Sequence, residues 1–319
     1  QGSSEFPYVW DEKASDRILR YSETLTVLEG SKPRPVRLLD CQAFDVGATF
    51  GWKKLDGNRR FRRRYKSVAR QNGKTFENGI IGSYISNFSG YKYGKLFTVA
   101  TKQAQAKLAW DEIAKFIRAD KDLSELFRVQ DYKLMITALQ TFCTIEALSK
   151  ERSLDDGFRS IFASVDEIHQ HPDNSIYKAI YNGQRSLPEA LVSMITTRGK
   201  KLNSFCKEMD DYCISILSGV ATAEDFFIDI YCLDEHDDIW NPENWIKANP
   251  FLCSTGHGRE TIARDAQTAK DMGGADLRDF ITKGLNMWVT SSDDAFVDAE
   301  KFARCGSDRG LEHFRGRQC

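Results

Sequence analysis

The strongest constraint on this chain is the run Arg64-Tyr65-Lys66-Ser67-Val68-Ala69-Arg70-Gln71-Asn72-Gly73-Lys74-Thr75. Arg63 to Val68 reads as a strand and Gly73 as a tight loop. Lys74 to Phe88 carries Phe76, Ile80, Ile81, Tyr84, Ile85 and Phe88 at helical spacing. Strand, loop, helix is the setting a phosphate-binding loop requires. In such a loop the backbone amides from Ala69 through Gly73 and the helix N-terminus together attract an anion. Lys74 would reach the β- and γ-phosphates of a nucleotide, and the Thr75 hydroxyl would serve Mg²⁺. The usual pattern has glycine where this chain has Val68, so Gly-Lys-Thr taken alone is a weak sign.

Two later segments strengthen it. Ile161-Phe162-Ala163-Ser164-Val165 is a short apolar strand ending in Asp166-Glu167. Acids at the C-terminal tip of a buried strand lie where α/β proteins bind ligands. Asp166 would hold Mg²⁺ through water and Glu167 would orient and polarise an attacking water, the two roles in-line phosphoryl transfer needs. The competing reading is an acid pair at a helix N-terminus, worth a few tenths to ~1 kcal/mol and nothing catalytic. The second segment, Leu191 to Ile195, ends in Thr196-Thr197, hydroxyls that could sit beside a γ-phosphate; ordinary strand-end threonines are the alternative. All three pieces fall in order, each at the end of an expected strand. Upstream, Gln42 could pair with an adenine edge, since an amide donates and accepts at once; a surface helix glutamine is the alternative.

Strands alternating with helices predict an α/β chain with a mainly parallel sheet flanked by helices. Expected helices are Ser15 to Leu28, a short one ending at Phe50, and one after Lys95 to Ala100, capped by Thr101 and with Leu108, Ala109, Ile113, Phe116 and Ile117 inward. Thr141 to Leu148 and Phe227 to Cys232 read as further strands. After about Pro242 the pattern turns helical, with Ile262, Ala266, Ala269 and Met272 on one side. We therefore expect a nucleotide-binding domain over 1–242 and a small helical C-terminal subdomain over 243–319.

Composition adds limits. The 319 residues suit one large domain, or a large and a small one. No apolar run is long enough to span a bilayer, and Gln1 to Trp10 shows no secretion signal, so no membrane partner is expected. Eight cysteines without a CxxC pair read as free thiols. The net charge is −1, but cations crowd Lys53 to Lys74. They read either as a phosphate-attracting patch or as arginines alternating along a solvated edge strand. His169 and His171 have no further ligand at zinc spacing.

Taken together these residues resemble the large terminase subunit of tailed double-stranded DNA phages. The resemblance rests on Gln42 ahead of Phe50-Gly51-Trp52-Lys53 and the Asp56-Gly57 turn, and on the glycine-poor, arginine-bearing loop Ala69 to Thr75. It continues through Val99-Ala100-Thr101-Lys102-Gln103-Ala104, Val165-Asp166-Glu167-Ile168-His169 and Ile195-Thr196-Thr197. Lys247-Ala248-Asn249-Pro250 and Leu285-Asn286-Met287-Trp288 complete it, so that it runs from Tyr8 to about Phe302. It implies a P-loop NTPase of the additional-strand, catalytic-glutamate type, using ATP and Mg²⁺ to move double-stranded viral DNA into a procapsid in the host cell cytoplasm.

Carried onto this sequence, Lys74 and Thr75 bind triphosphate and metal, Asp166 binds Mg²⁺, Glu167 is the catalytic base, and Thr196 and Thr197 couple hydrolysis to movement. The arginine finger would be Arg70, or Arg152 or Arg159 from this chain or a neighbour. Implied partners are the portal protein, the small terminase subunit and further copies in a ring. The 243–319 segment would be a linker, with the family's nuclease domain beginning beyond the chain's end. The family usually has tryptophan where this chain has Cys41, which loosens the adenine role of Gln42. A helicase-like ATPase and a non-catalytic docking module for the portal or small subunit are the alternatives.

Overall fold

A computed structural model describes residues 6–28, 30, 32–149 and 159–289. In chain order it contains β1 (Tyr8–Trp10), α1 (Glu12–Thr24), β2 (Thr26–Val27), β3 (Arg34–Pro35), α2 (Asp40–Gly51), β4 (Trp52–Lys54), β5 (Arg63–Ser67) and α3 (Lys74–Phe88). Next come β6 (Lys95–Ala100), α4 (Gln103–Ala119), α5 (Lys121–Leu126), β7 (Phe127–Gln130), β8 (Met135–Ala138) and β9 (Thr144–Ser149). Then follow β10 (Phe162–Asp166), α6 (Ser175–Gly183), β11 (Leu191–Thr196), α7 (Phe205–Leu217), β12 (Phe226–Ile230), α8 (Gly256–Met272) and α9 (Gly274–Asp279).

The central sheet runs β12-β5-β11-β10-β6-β9-β8-β7. Every pairing from β12 to β9 is parallel; β8 and β7 extend the sheet as an antiparallel hairpin. β11 therefore lies between the strand that feeds the loop and the strand that ends in the acids. Every residue of β10 and β11 is buried, as expected of central parallel strands with both faces covered. One face packs Leu96, Phe162 and Leu191 under Ile80, Ile81, Ile113 and Phe116 of α3 and α4. The other packs Tyr65, Val165 and Met194 under Ile176 and Ile180 of α6 and Cys206 and Met209 of α7. The side-chain period of two splits each strand between these layers. Asp166 thus shares the α3 face with Phe162 and Ser164. A third apolar cluster, Leu233, Trp245, Ile262, Ala266, Ala269, Phe280 and Leu285, includes Ala69 of the loop itself.

Local departures have local causes. α1 starts earlier than the apolar spacing suggested, because the Asp11 carboxylate caps it by accepting from the Ala14 amide (3.0 Å), and it ends where Leu25 turns extended. α4 is entered from Lys102 with no side-chain cap; the Thr101 hydroxyl donates instead to Gln105 (3.3 Å). Leu108 and Met272 face solvent rather than the core. The β7–β8 hairpin had no expected counterpart. Most consequentially, β5 is an interior strand, and Arg64 and Lys66 are among the most buried side chains of the molecule, not part of a solvated edge.

Candidate nucleotide site

The loop between β5 and α3 turns through two left-handed residues, Gln71 (φ 60°) and Gly73 (φ 76°). Gly73 takes this conformation without steric cost and starts α3 with its first-turn amides facing outward. Two expected loop donors are spent elsewhere. The Ala69 amide donates to the Ala248 carbonyl (3.3 Å) and the Arg70 amide to the Lys283 carbonyl (3.0 Å). These two amides are engaged by carbonyls of the C-terminal segment, unlike what the loop pattern led us to expect. The Arg70 side chain remains exposed.

At that helix head the functional side chains converge. The Thr75 hydroxyl donates to the Asp166 carboxylate (3.2 Å). Lys74 is buried, donates to the Thr197 hydroxyl (3.0 Å) and lies 3.8 Å from the Glu167 carboxylate. Thr197 in turn donates to the Val68 carbonyl (2.9 Å), tying the end of β11 to the loop. Thr196 accepts from the His169 amide (3.2 Å). Glu167 sits at φ 50°, a conformation that costs a glutamate ~1–3 kcal/mol and persists where surrounding bonds hold it. Its amide donates to Asp166 (2.7 Å) and its carboxylate meets His169 Nδ1 at 3.0 Å. His171 also serves this turn, with Nε2 3.0 Å from the Asp166 carbonyl.

The two acids are electrostatically unlike. Burial, then the neighbouring charge of Glu167, pushes the Asp166 carboxyl up to about 6, against a smaller opposing pull from Lys74. Burial acts on Glu167 in the same direction but is outweighed by the His169 hydrogen bond and the charges of Lys74, His169 and Arg70, which lower it to about 2. Thr75 and Asp166 present hydroxyl and carboxylate oxygens side by side, the hard donors that suit Mg²⁺. A divalent cation there would also answer the charge that burial penalises on Asp166.

Gln42 is buried against the loop. Its carbonyl oxygen accepts from the Leu39 amide (3.1 Å), and its Nε2, which has no hydrogen-bond partner among the described residues, would lie 3.0 Å from a Cβ built on Gly73. The amide therefore has a free donor beside the loop and a committed acceptor. Arg159 is exposed ahead of β10, at the end of the strand opposite the acids, so it does not enter this chain's own site. Arg152 lies outside the described residues.

Beneath the loop is a buried ionic network that the sequence did not reveal. Arg64 donates to both oxygens of Asp45 (one contact at 2.9 Å), to Glu77 (2.8 Å), Asn78 (3.0 Å) and Ser193 (3.0 Å). Lys66 donates to Asp45 (2.9 Å) and Glu77 (2.6 Å). Asp45 belongs to the Gln42 helix and Glu77 to the first turn of α3, so the network joins α2, β5 and α3. Burial would raise the Asp45 carboxyl, but Arg64 and Lys66 hold it well below the usual carboxylate range. The available signal was the alternation of cations with Tyr65 on a strand flanked by apolar helices.

A sheet with one strand inserted between loop strand and acid strand, and a lysine, a hydroxyl and two acids meeting at its C-terminal edge, defines a P-loop NTPase of the additional-strand type. The family model described as terminase large subunit, ATPase domain, matches residues 40–214, and the chain belongs to that family. A second, described as terminase large subunit, endonuclease domain, matches residues 220–319. That match corrects the expectation that the nuclease domain begins beyond the chain's end. Helical spacing after Pro242 distinguished no linker from nuclease, and the matched stretch starts ahead of β12, inside the sheet.

Protein YmfN of Escherichia coli (strain K12) is 32% identical over 173 residues, 53% of this chain and 37% of that protein. The crystal structure of the HK97 bacteriophage large terminase superposes with a TM-score of 0.74 at 21% identity, covering 92% of this chain and 58% of that one. A mutant ATPase domain of the Thermus phage P74-26 large terminase gives 0.53 at 15% identity, over 72% of this chain and 90% of that one. These structural likenesses concern the fold. The chain spans less than two thirds of the length of YmfN and of the HK97 protein.

Proposed function

We propose that this chain binds ATP with Mg²⁺ and hydrolyses it to drive double-stranded DNA into a viral procapsid. The observation that carries the reading is the convergence of Lys74, Thr75, Asp166 and Glu167 on one helix N-terminus. The first-turn amides of α3 and Lys74 would hold the phosphates, and Thr75 and Asp166 would hold the metal, which screens phosphate charge when bound. Lys74 rests on Thr197 and near Glu167. Turning to a γ-phosphate, it would release the Glu167 carboxylate from a neighbouring positive charge and make it a stronger acceptor for a proton from water. Thr197 loses its lysine in the same movement, which gives β11 a means of reporting occupancy.

Arg70, exposed on the loop and close enough to act on Glu167, is the arginine of this chain best placed for the γ-phosphate. Arg159 could serve only a neighbouring copy in a ring. Gln42 would offer its free Nε2 to the base. The sheet with its loops would be the engine, and the helices after residue 242 fall within the stretch matched as endonuclease domain. Grip on the duplex would rest on phosphate contacts, with the portal protein and small terminase subunit as docking partners. No helix among the described residues is long and apolar enough to cross a membrane. The test is ATP turnover by the purified chain at saturating Mg²⁺, with and without duplex DNA. Turnover that DNA stimulates is expected; no turnover under either condition, with no heat of nucleotide binding, overturns the reading.

A further inference from the structure

Beside the triphosphate position lies a second cavity of about 240 Å³. It touches the nucleotide site through Arg70, His169 and Thr197, but Lys74, Thr75, Asp166 and Glu167 do not line it. Its other cations are Arg198, Lys200 and Lys201, in the loop after β11, and Lys283 from the turn that follows α9. Carboxylates are missing from its wall among the described residues. Nearby acids answer part of this charge: Arg198 pairs with the buried Asp210 (2.9 Å), and Asp279 is shared by Lys200 (2.6 Å) and Lys283. Arg70 and Lys201 form no ion pair among the described residues, and both are exposed. The head of α7, capped by Ser204, adds its dipole to the same wall. At ~30 Å³ per water, the space takes a small tetrahedral oxyanion with part of its hydration shell.

Resting on the ATPase reading above, we propose that this cavity is an anion subsite that receives the orthophosphate cleaved from ATP and holds it before release. Hydrolysis bonds water's oxygen to the γ-phosphorus, breaks the bond to the oxygen bridging the β-phosphate, and frees one proton. The product forms beside Arg70, Thr197 and His169, the three residues shared by this cavity and the nucleotide site. Moving toward Lys201 and Arg198, it exchanges one set of positive partners for another. The far wall belongs to the C-terminal segment, through Lys283 and Trp288. Phosphate in this cavity therefore bridges the sheet and the C-terminal segment, and its departure removes that bridge.

The experiment titrates inorganic phosphate into the full chain holding ADP and Mg²⁺, by calorimetry, and repeats it with Lys201→Glu. Lys201 is exposed and clear of the nucleotide residues, so the fold and the KM for ATP are expected to stay within about twofold. Phosphate affinity, and phosphate's potency as a product inhibitor of turnover, are expected to fall on the order of tenfold. Binding of a DNA duplex, followed by anisotropy, is the second arm and is expected to be unchanged. Phosphate affinity indifferent to Lys201→Glu overturns the proposal. So does a loss of duplex affinity in the same proportion as phosphate affinity, which would give these cations to the DNA backbone. If wild type binds phosphate in a Lys201-dependent way yet turns over no ATP, the anion site stands, and the ATPase reading falls together with the site's part in product release. Turnover with phosphate affinity insensitive to the substitution gives the reverse.

Discussion

Glu167 is the residue at which conformation, electrostatics and chemistry meet. Its left-handed backbone is held by the bond to Asp166, and its carboxylate is kept ionised by His169 and Lys74. Glu167→Gln keeps the shape and removes the acceptor. Turnover should fall about 10³-fold while nucleotide affinity is retained; undiminished single-turnover hydrolysis would remove the base assignment. Lys74→Ala acts on the other half of the site. It should weaken ATP binding itself by about tenfold or more, measured by calorimetry. The meeting of Lys74, Thr75, Asp166, Glu167 and Thr197 was legible in the sequence because each stands at the end of a recognisable strand or the head of a recognisable helix. His169 was read against zinc and as part of the motif carrying the resemblance, with no role of its own. Its role depends on the tight turn that brings its ring back to Glu167, and spacing does not encode that. The engagement of the Ala69 and Arg70 amides was hidden for a similar reason: the carbonyls that take them come from residues 248 and 283, far along the chain.

At the level of elements, β5 shows how a pattern can be read correctly and placed wrongly. The strand was recognised, but its cations were compatible with a solvated edge, and only its neighbours β12 and β11 make it interior. Once interior, Arg64 and Lys66 need buried acids, and α2, α3 and β12 supply three: Asp45, Glu77 and Asp229. Two cations facing three carboxylates leave one negative charge in excess. Asp229, which reaches Lys66 only at 3.9 Å, is the least well paired. Burial, then the charge of Asp45, pushes its carboxyl up to about 7. The unfolded chain's aspartate titrates near ~3.9, so between these values the folded state binds more protons. The stability contributed by the protonated form is therefore complete at acid pH and is lost as pH rises through about 7. Asp229→Asn mimics that form at every pH. It should raise stability at pH 8 by on the order of 1 kcal/mol or more and flatten the pH dependence, as read from urea midpoints at several pH values. An equal loss of stability at pH 5 and pH 8 would show that the carboxylate is needed as an ion.

Across the whole molecule, the C-terminal segment grips the phosphate loop directly. The Asn249 side chain accepts from Asn72 (2.9 Å) and donates to the Gly284 carbonyl (2.6 Å), while the Asn72 carbonyl oxygen accepts from the amides of Phe251 (3.1 Å) and Leu252 (3.2 Å). Asn286, buried at φ 52°, donates to Ser67 (3.0 Å) and the Tyr231 carbonyl (2.7 Å) and accepts from the Arg198 amide (2.7 Å). Both asparagines lay in stretches that carried the family resemblance, but helical periodicity alone marked the region as an appendage, because side-chain amides leave no periodic trace. The clasp has a thermodynamic consequence. If nucleotide binding tightens it, the clasp must strengthen nucleotide binding by the same factor, since coupling between two equilibria is reciprocal. Asn249→Ala removes the link from Asn72 to the Gly284 carbonyl, although the Asn72 side-chain amide keeps the Ala69 and Arg70 carbonyls, at a cost of ~1–3 kcal/mol to the clasped arrangement. ATP affinity should then fall about 5- to 10-fold, and the nucleotide-dependent rise in amide protection over residues 245–252 and 280–286 should shrink by a matching free energy in hydrogen exchange. The two numbers come from separate experiments and are bound to agree. Protection that collapses while affinity holds would mean that the clasp is structural and carries nothing between the loop and the C-terminal segment.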